Sequence, residues 1–480
     1  MRKNINYLIA FSIILLVLTG CNNNNSPIVS IISPVENESV PAGEVEIIAI
    51  ITDEQGVVDD KLYIDDEYYS RHTEVCSDTY FFSWDASGEV YGSEHKITVY
   101  GYDEANETGI DWVNSVFVGG EGGEGTEHYG EITSSETWSS AGNPHIIGSD
   151  IEISNGARLE IGLGCIVKFA YGTSIMVEEG SIEAYGSFDS PIMFTSVSEN
   201  PSPGNWQFIG FSGGNYTGGH FSHCTFEYGG MGMVGATVYA EDSAYLGISN
   251  CTIWKSAGAG IRTSNYGHIV YYDFAGNTIT ECATYPVRTS AEGAYGVNIE
   301  NIYTGNTIDA IYVDGGYITQ KMTWDKLEIP YIVDQPVYCG DYEGSGVLVL
   351  DPGVTLKMGS AGGIFIGAYN QGGFIADGSE EQINITSLND TPAPGDWNKI
   401  YFYENCKDDS CIIRNCKIEY GGNQSDGMIR IRNAIPLIMD DSIGYSGSYG
   451  IYLEGSSPST SQLLNDNTFY NNTSGSIYGP

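Results

Sequence analysis

From about residue 130 to the end, the chain alternates short apolar runs with Gly, Asn, Ser and Asp, and no helical period lies between them. A polar–Thr/Ser–apolar core recurs through the first half of this region. Cys224-Thr225-Phe226, Cys251-Thr252-Ile253, Asn277-Thr278-Ile279 and Asn306-Thr307-Ile308 are spaced 27, 26 and 29 residues apart. Farther on, Cys416-Lys417-Ile418, Asp441-Ser442-Ile443 and Asn467-Thr468-Phe469 are spaced 25 and 26. One strand cluster per repeat of this length predicts one coil per repeat. A single coil cannot bury its apolar face, so the coils must stack. The pattern predicts one inward column of Phe226, Ile253, Ile279 and Ile308 and a second of Ile418, Ile443 and Phe469. It also predicts stacked turn residues, with Cys224 over Cys251 and Asn277 over Asn306 in an Asn ladder. About 350 residues at ~25 per coil give on the order of 14 coils, a rod roughly 65 Å long at ~4.8 Å per coil.

A larger period overlies the small one. Pro203-Gly204-Asn205-Trp206 is followed by Glu227-Tyr228-Gly229-Gly230, and Pro394-Gly395-Asp396-Trp397 by Glu419-Tyr420-Gly421-Gly422. Gly186-Ser187 and Phe194-Thr195-Ser196 have counterparts in Gly378-Ser379 and Ile385-Thr386-Ser387. A whole module has been duplicated, either within one continuous rod or as two abutting ones. Residues 130–316 and 317–480 are taken as the two copies.

Residues 27–118 carry a different pattern, with alternating runs such as Val45-Glu46-Ile47-Ile48-Ala49-Ile50 and Lys96-Ile97-Thr98-Val99-Tyr100 broken by turn-rich stretches. This predicts a small β-sandwich with Trp84 as a core anchor. Gly119-Gly120-Glu121-Gly122-Gly123-Glu124-Gly125 reads as a flexible charged linker, taken to span 119–129. The fold class is therefore all-β: a sandwich, then a stacked-coil region with an internal duplication.

Composition narrows the partners. The formal charge is −43, from 62 acidic against 19 basic residues. Such a chain is repelled by nucleic acid, so no nucleic-acid partner is expected. The ten cysteines are scattered with no CxxC pair, which argues against zinc. Cys406, Cys411 and Cys416 form the only cluster, in which Cys406–Cys411 is a candidate for a small disulfide; buried free thiols are expected for most of the others.

Three resemblances follow from these residues. Ile32-Ser33-Pro34, Thr52-Asp53-Glu54-Gln55-Gly56-Val57, Phe82-Ser83-Trp84-Asp85 and Tyr102-Asp103-Glu104-Ala105-Asn106 resemble a bacterial Ig-like domain. Ile151-Glu152-Ile153, Gly156-Ala157-Arg158-Leu159-Glu160-Ile161 and Ile166-Val167-Lys168-Phe169, echoed by Val347 to Lys357, resemble the right-handed parallel β-helix of the pectate-lyase-like superfamily. At the start, Arg2 and Lys3 precede an apolar stretch from Tyr7 to Leu18 that ends in Leu18-Thr19-Gly20-Cys21. This resembles a bacterial lipobox. The resemblance implies a signal peptide over 1–20, lipidation at Cys21 and a tether over 21–26, and Asn22 favours the outer membrane of a Gram-negative cell.

Candidate chemistry is sparse. Lyases of the β-helix superfamily set calcium or basic residues against an acidic sugar, and residues 130–480 carry few bases and no lyase signature. The polygalacturonase-like signatures are also missing. Asn306-Thr307-Ile308-Asp309 departs from the first of them, no Gly-His-Gly exists, and Asp440-Asp441 matches only as a dipeptide. Asp440 and Asp441 are the sole catalytic candidates. Asp53, Asp65, Asp66 and Asp103 (with Asp59 and Asp60) are oxygen donors suited to calcium, or turn residues that bond their own backbone. His72 and His95 read as structural. Arg262 and Arg288, one coil apart, should be neighbours on the outer face, paired with Asp242, Glu292 or Asp314 or else left to bind an anion or a sugar. Arg430 and Arg432 are their counterparts in the second copy. Trp206 and Trp397 are coil-corner residues or sugar-stacking platforms.

These readings converge on a lipid-anchored cell-surface protein. The expected role is non-catalytic, with the β-helix serving adhesion or binding to a polysaccharide or matrix component. The alternatives are a polysaccharide hydrolase or lyase and a purely structural envelope rod.

Overall fold

A computed structural model of the protein describes residues 26–479 apart from 36–37, 41–43, 55, 87–93, 119–124, 265, 343 and 424. Cys21, the leader, nearly all of the tether and most of the Gly/Glu-rich linker lie outside the described residues. The chain divides into two compact units, residues 1–123 and 124–480.

The first unit is an antiparallel sandwich. One sheet pairs Ile28–Ser33 with Glu44–Thr52, and that strand with Thr79–Asp85. The other is built on Glu94–Asp103, flanked by Val57–Ile64 and Thr108–Val118. Alternation buries Ile47, Leu62, Phe82, Ile97 and Val99 between the sheets, and Trp84 is 1% exposed, as expected of a core anchor.

The second unit is a parallel β-solenoid of about thirteen turns. In the first copy, one face stacks Ile166–Phe169, Ile192–Ser196, Cys224–Glu227, Thr252–Trp254 and Thr278–Thr280. The second face stacks Ile175–Val177, Ile209–Phe211, Ala236–Ala240, Ala259–Thr263, Val287–Thr289 and Ile311–Val313. The third runs from Ala157–Ile161 to His268–Ala275. Inward residues form one apolar core from Ile132 to Leu463. The solenoid opens with Thr126–Ile132, which pairs with His145–Ile153. The final residues of the stretch expected as linker are thus already its first strand.

The two copies form one rod, because a single 19-stranded sheet runs through both. The joint carries a phase slip. Second-face strand Ile311–Val313 pairs with Tyr331–Val333, which pairs with Thr355–Met358. By sequence, Thr355–Met358 is the counterpart of first-face strand Ile166–Phe169. The first-face strands of the second copy therefore stack on the second face of the first. Its own second face stacks Gly316–Ile318, Pro336–Cys339, Gly363–Ile366, Ile400–Phe402, Ile429–Arg432, Tyr449–Glu454 and Gly475–Tyr478.

Most predicted columns form. Phe226 lies beneath Ile253 and Ile253 beneath Ile279; Ile418, Ile443 and Phe469 align likewise. Ile308 does not join its column. It is 40% exposed, and the next coil instead registers through a bridge from Thr278 to Ile302, with Tyr303 buried beside it. The polar ladder is corrected in the same way. Cys224 N–H points at Cys251 Sγ (3.3 Å), Cys251 N–H at Asn277 Oδ1 (2.9 Å), and Asn277 N–H at Asn301 Oδ1 (2.9 Å). Asn301, not Asn306, continues the ladder. Asn306 stands at the next corner, where its Oδ1 accepts from Cys282 N–H (3.1 Å). Each bond satisfies a backbone donor that the turn leaves unpaired, worth about 1 kcal/mol net and more if lost in the core.

Candidate functional site

The module duplication is preserved bond for bond at the Pro-Gly-x-Trp corner. Gly204 and Gly395 take φ of +83° and +88°. Asn205 N–H donates to Tyr228 O (2.9 Å) and Asp396 N–H to Tyr420 O (2.8 Å). Both indole N–H groups donate to a backbone carbonyl at 2.8 Å, Trp206 to Glu227 and Trp397 to Glu419. Both side chains are fully buried. The tryptophans are corner posts with no face left for a sugar.

The outward positions hold a different arrangement. On the second face of the first copy, Tyr239, Arg262, Arg288 and Tyr312 lie in register on successive coils. On the equivalent face of the second copy the register runs Tyr317, Tyr338, Phe365, Tyr401, Arg430, Tyr452, Tyr478, seven coils without interruption. Rings along it stack on one another: Tyr317 on Tyr338 at 5.4 Å, Tyr338 on Phe365 at 5.2 Å, Tyr452 on Tyr478 at 4.5 Å. The Arg430 guanidinium sits 4.6 Å over the Tyr401 ring. Along the ladder Tyr401 is buried and Tyr478 is exposed. Burial, then the neighbouring Tyr369, raise the hydroxyls of Tyr317 and Tyr338 above the usual phenol range, so they stay protonated donors.

Because of the phase slip, these two Tyr/Arg ladders occupy adjoining faces, and a cleft of about 450 Å³ opens where they meet. Arg262, Arg288, Asp314 and Tyr317 line it, with Tyr266, 58% exposed, at its side. A second cleft of about 440 Å³ shares Tyr266 and Glu292 and adds Tyr271, Tyr272 and Tyr295. Tyr271 and Tyr272 reach this place because His268–Ala275 bulges out of register. Tyr271 stacks on Tyr295 (5.3 Å) and donates to Asp325 Oδ2 (2.9 Å).

Arg262 and Arg288 are neighbours, as their spacing predicted. Arg288 is held by Asp314 through Nε (2.9 and 3.0 Å) and Nη2 (2.7 Å). The other two expected partners are engaged elsewhere: Asp242 accepts from Ser212 Oγ (3.1 Å) and Glu292 from Thr319 Oγ1 (2.6 Å). Arg262 donates Nη1 to Val234 O (2.9 Å), and its Nε has no partner. In the second copy Arg430 pairs with Asp426 and Glu454, and Arg432 with Glu404.

The acidic candidates make bonds within the fold. Asp441 is 1% exposed and occupies a rung of the second ladder, accepting from Cys416 N–H (2.7 Å) and donating its own N–H to Asn467 Oδ1 (3.0 Å). Burial, reinforced by the charge of Asp440, pushes its carboxyl up to about 8. Asp440 is a positive-φ turn residue. In the sandwich, Asp65 and Asp66 form a turn with φ of 53° and 66°, bound to Lys96 N–H (2.8 Å) and Lys96 Nζ (2.8 Å). Asp65 also meets His95 Nδ1 (2.7 Å), and Asp60 meets His72. Asp103 caps Glu107 N–H (2.8 Å), and Asp53 follows the strand Glu44–Thr52. Among the described residues no group of three or more His, Cys, Asp or Glu side chains is placed to hold a metal ion. Cys406 and Cys411 are free thiols, at either end of a bulge in Cys406–Arg414.

Comparison with known proteins supports the two units separately. Residues 27–99 match the bacterial Ig domain model, and residues 151–321 match the right-handed beta helix region model. The chain thus carries one region similar to bacterial Ig domains and one similar to right-handed β-helices. No curated protein matches it significantly. Among solved structures it is similar to the X-ray structure of the endo-beta-1,4-mannanase from Thermotoga petrophila, at 18% identity over 20% of this chain and 20% of that one, with a TM-score of 0.18. The likeness spans a fifth of each chain and carries no argument about fold or activity. The β-helix match ends near the phase slip, and the second copy continues the same solenoid by register.

Proposed function

We propose that this protein is a lipid-anchored cell-surface binding protein, held by Cys21, that lays an extended glycan along its Tyr/Arg ladders without cleaving it. The seven-coil register from Tyr317 to Tyr478 carries the reading. Successive coils lie ~4.8 Å apart, so outward side chains repeat on roughly the scale of a sugar ring. Stacked tyrosines supply a large, rigid, amphipathic contact at little entropic cost, and their hydroxyls bond sugar oxygens. Binding rather than turnover is favoured by the state of the acids lining the junction cleft. Asp314 is committed to Arg288 and Glu292 to Thr319, and the buried Asp441 belongs to a turn ladder.

The test is retention of the full chain on immobilised neutral polysaccharides, with reducing-end and unsaturated-sugar release read in parallel. Retention without product is expected, and Tyr338→Ala and Tyr452→Ala should each weaken it several-fold with the melting temperature little changed. Product release would replace the binding reading by an enzymatic one. Retention unaffected by both substitutions would move the ligand off this face.

A further inference from the structure

Every described arginine but one has a carboxylate partner: Arg71, Arg158, Arg288, Arg414, Arg430 and Arg432 all form ion pairs. The exception is Arg262. Its Nη1 meets a carbonyl, its Nε is buried without a partner like those of Arg414 and Arg430, and it lines the junction cleft with no carboxylate paired to it. In a chain with 62 acidic residues an uncommitted guanidinium is unexpected by chance. Neighbouring acids have other partners: Asp314 is ion-paired with Arg288, while Glu292 accepts from the Thr319 hydroxyl and Glu241 from the Tyr239 hydroxyl. Tyr239 lies beneath the guanidinium, 5.9 Å from its centre, and Ser264 and Ser290 add hydroxyls near it.

We infer that Arg262 is the subsite for a single sugar-borne carboxylate, so that the ladder takes a largely neutral glycan bearing isolated acidic residues and rejects a polyuronate. The inference rests on the glycan-binding reading and adds its charge selectivity. One unpaired cation can accept one carboxylate through a charge-assisted, two-pronged bond. A second carboxylate one coil along meets Arg288, already neutralised by Asp314. Farther along, Arg430 is flanked by Asp426 and Glu454. There, and against a formal charge of −43, a further negative charge is repelled.

The experiment is calorimetry of the full chain with four probes: a xylan oligosaccharide carrying one glucuronate, its carboxyl-reduced counterpart, an oligogalacturonate of equal length, and a sialylated oligosaccharide as the terminal-carboxylate arm. A probe with one carboxylate should bind about tenfold tighter than the reduced probe. Which arm shows the preference, the internal uronate or the terminal sialate, identifies the carboxylate's source. The preference should shrink as salt rises, because the Debye length falls to about 8 Å at 0.15 M. Arg262→Gln should abolish the preference, bringing the one-carboxylate and reduced probes to equal affinity, while Arg262→Lys retains part of it. If Arg262→Gln does not fold, the salt series on the unmodified chain takes its place: a preference that salt leaves unchanged counts against the inference. Equal affinity for charged and reduced probes, a preference that survives Arg262→Gln, or tighter binding of oligogalacturonate overturns the inference alone. Absence of binding to every probe overturns the glycan reading and this inference with it.

Discussion

Trp206 and Trp397 stand at the same corner of two duplicated modules, each donating its indole N–H to a glutamate carbonyl 2.8 Å away, on edges of the solenoid that differ by one face. Trp206 also stacks on Phe169 at 4.2 Å. Truncating either fully buried ring removes a coil's main packing element. Trp206→Ala or Trp397→Ala should cost about 3–5 kcal/mol. Trp→Phe, which keeps most of the bulk, should cost far less, with the lost hydrogen bond worth about 1 kcal/mol. Denaturant unfolding of each variant measures both. A cost below about 1 kcal/mol for the alanine variants is incompatible with the corner-post role.

Asp441 gives a prediction with a sign. Its carboxyl is pushed up to about 8 in the fold, against about 3.9 in an unfolded chain. Between roughly pH 4 and 8 the unfolded chain gives up this proton while the folded chain keeps it, so the residue's contribution to stability falls as pH rises through that window. Asp441→Asn removes the penalty and supplies an amide like that of Asn277, whose Nδ2 donates to Ile248 O (2.8 Å). The variant should melt higher than wild type at about pH 8, with the gap closing towards about pH 4. A constant gap would mean that Asp441 is not buried as a neutral acid.

The opposite sign applies at the first coils. His128 and His145 stack with Trp138, His128 Nε2 lies 3.0 Å from His145 Nδ1, and His145 Nε2 meets Ser139 O at 2.8 Å. Burial, then the neighbouring His145, lower His128 to about 4; His145 is also lowered, chiefly by burial. Their contribution is fully present above about pH 6.5 and is lost as pH falls towards about 4. The hydrogen-exchange protection of Thr126–Ile132, taken against the unfolded-chain rate at each pH, should therefore fall between about pH 6.5 and about pH 4, and His128→Phe should blunt that fall.

How far the sequence reveals this architecture depends on loop length. Phe226, Ile253 and Ile279 are legible as a column because 26 or 27 residues separate them and the corners between them are short. Ile308 misleads because Asn306-Thr307-Ile308 copies the local pattern, while the coil below closes earlier through the buried Asn298–Asn301–Tyr303 cluster. Spacing places Arg262 over Arg288 correctly, yet the sequence has no means of assigning Asp314 to one of them and nothing to the other. The long ladder is hidden for the same reason as Tyr303. Tyr317 and Tyr338 are 21 residues apart, whereas Phe365 and Tyr401 are 36 apart, because the Trp397 corner carries a long loop between them. A fixed period cannot find contacts whose separations vary this much. The phase slip, which brings the two ladders together at the cleft, leaves no periodic trace at all.

The ladder's length makes the last prediction. Tyr317 to Tyr478 spans six inter-coil steps, about 29 Å at ~4.8 Å each. A glycan lying along it gains contacts with every added sugar until it covers the ladder, and nothing afterwards. Affinity for a homologous series of neutral oligosaccharides should rise with chain length and then level off near that span. Interrupting the ladder at its middle should shorten the plateau rather than scale it. Tyr401→Ala, which also removes the ring beneath Arg430 (4.6 Å), should leave short oligosaccharides bound almost as before and cost the long ones most. Affinity independent of length would instead place the ligand wholly within the junction cleft beside Arg262, with the seven stacked rungs left to a structural role.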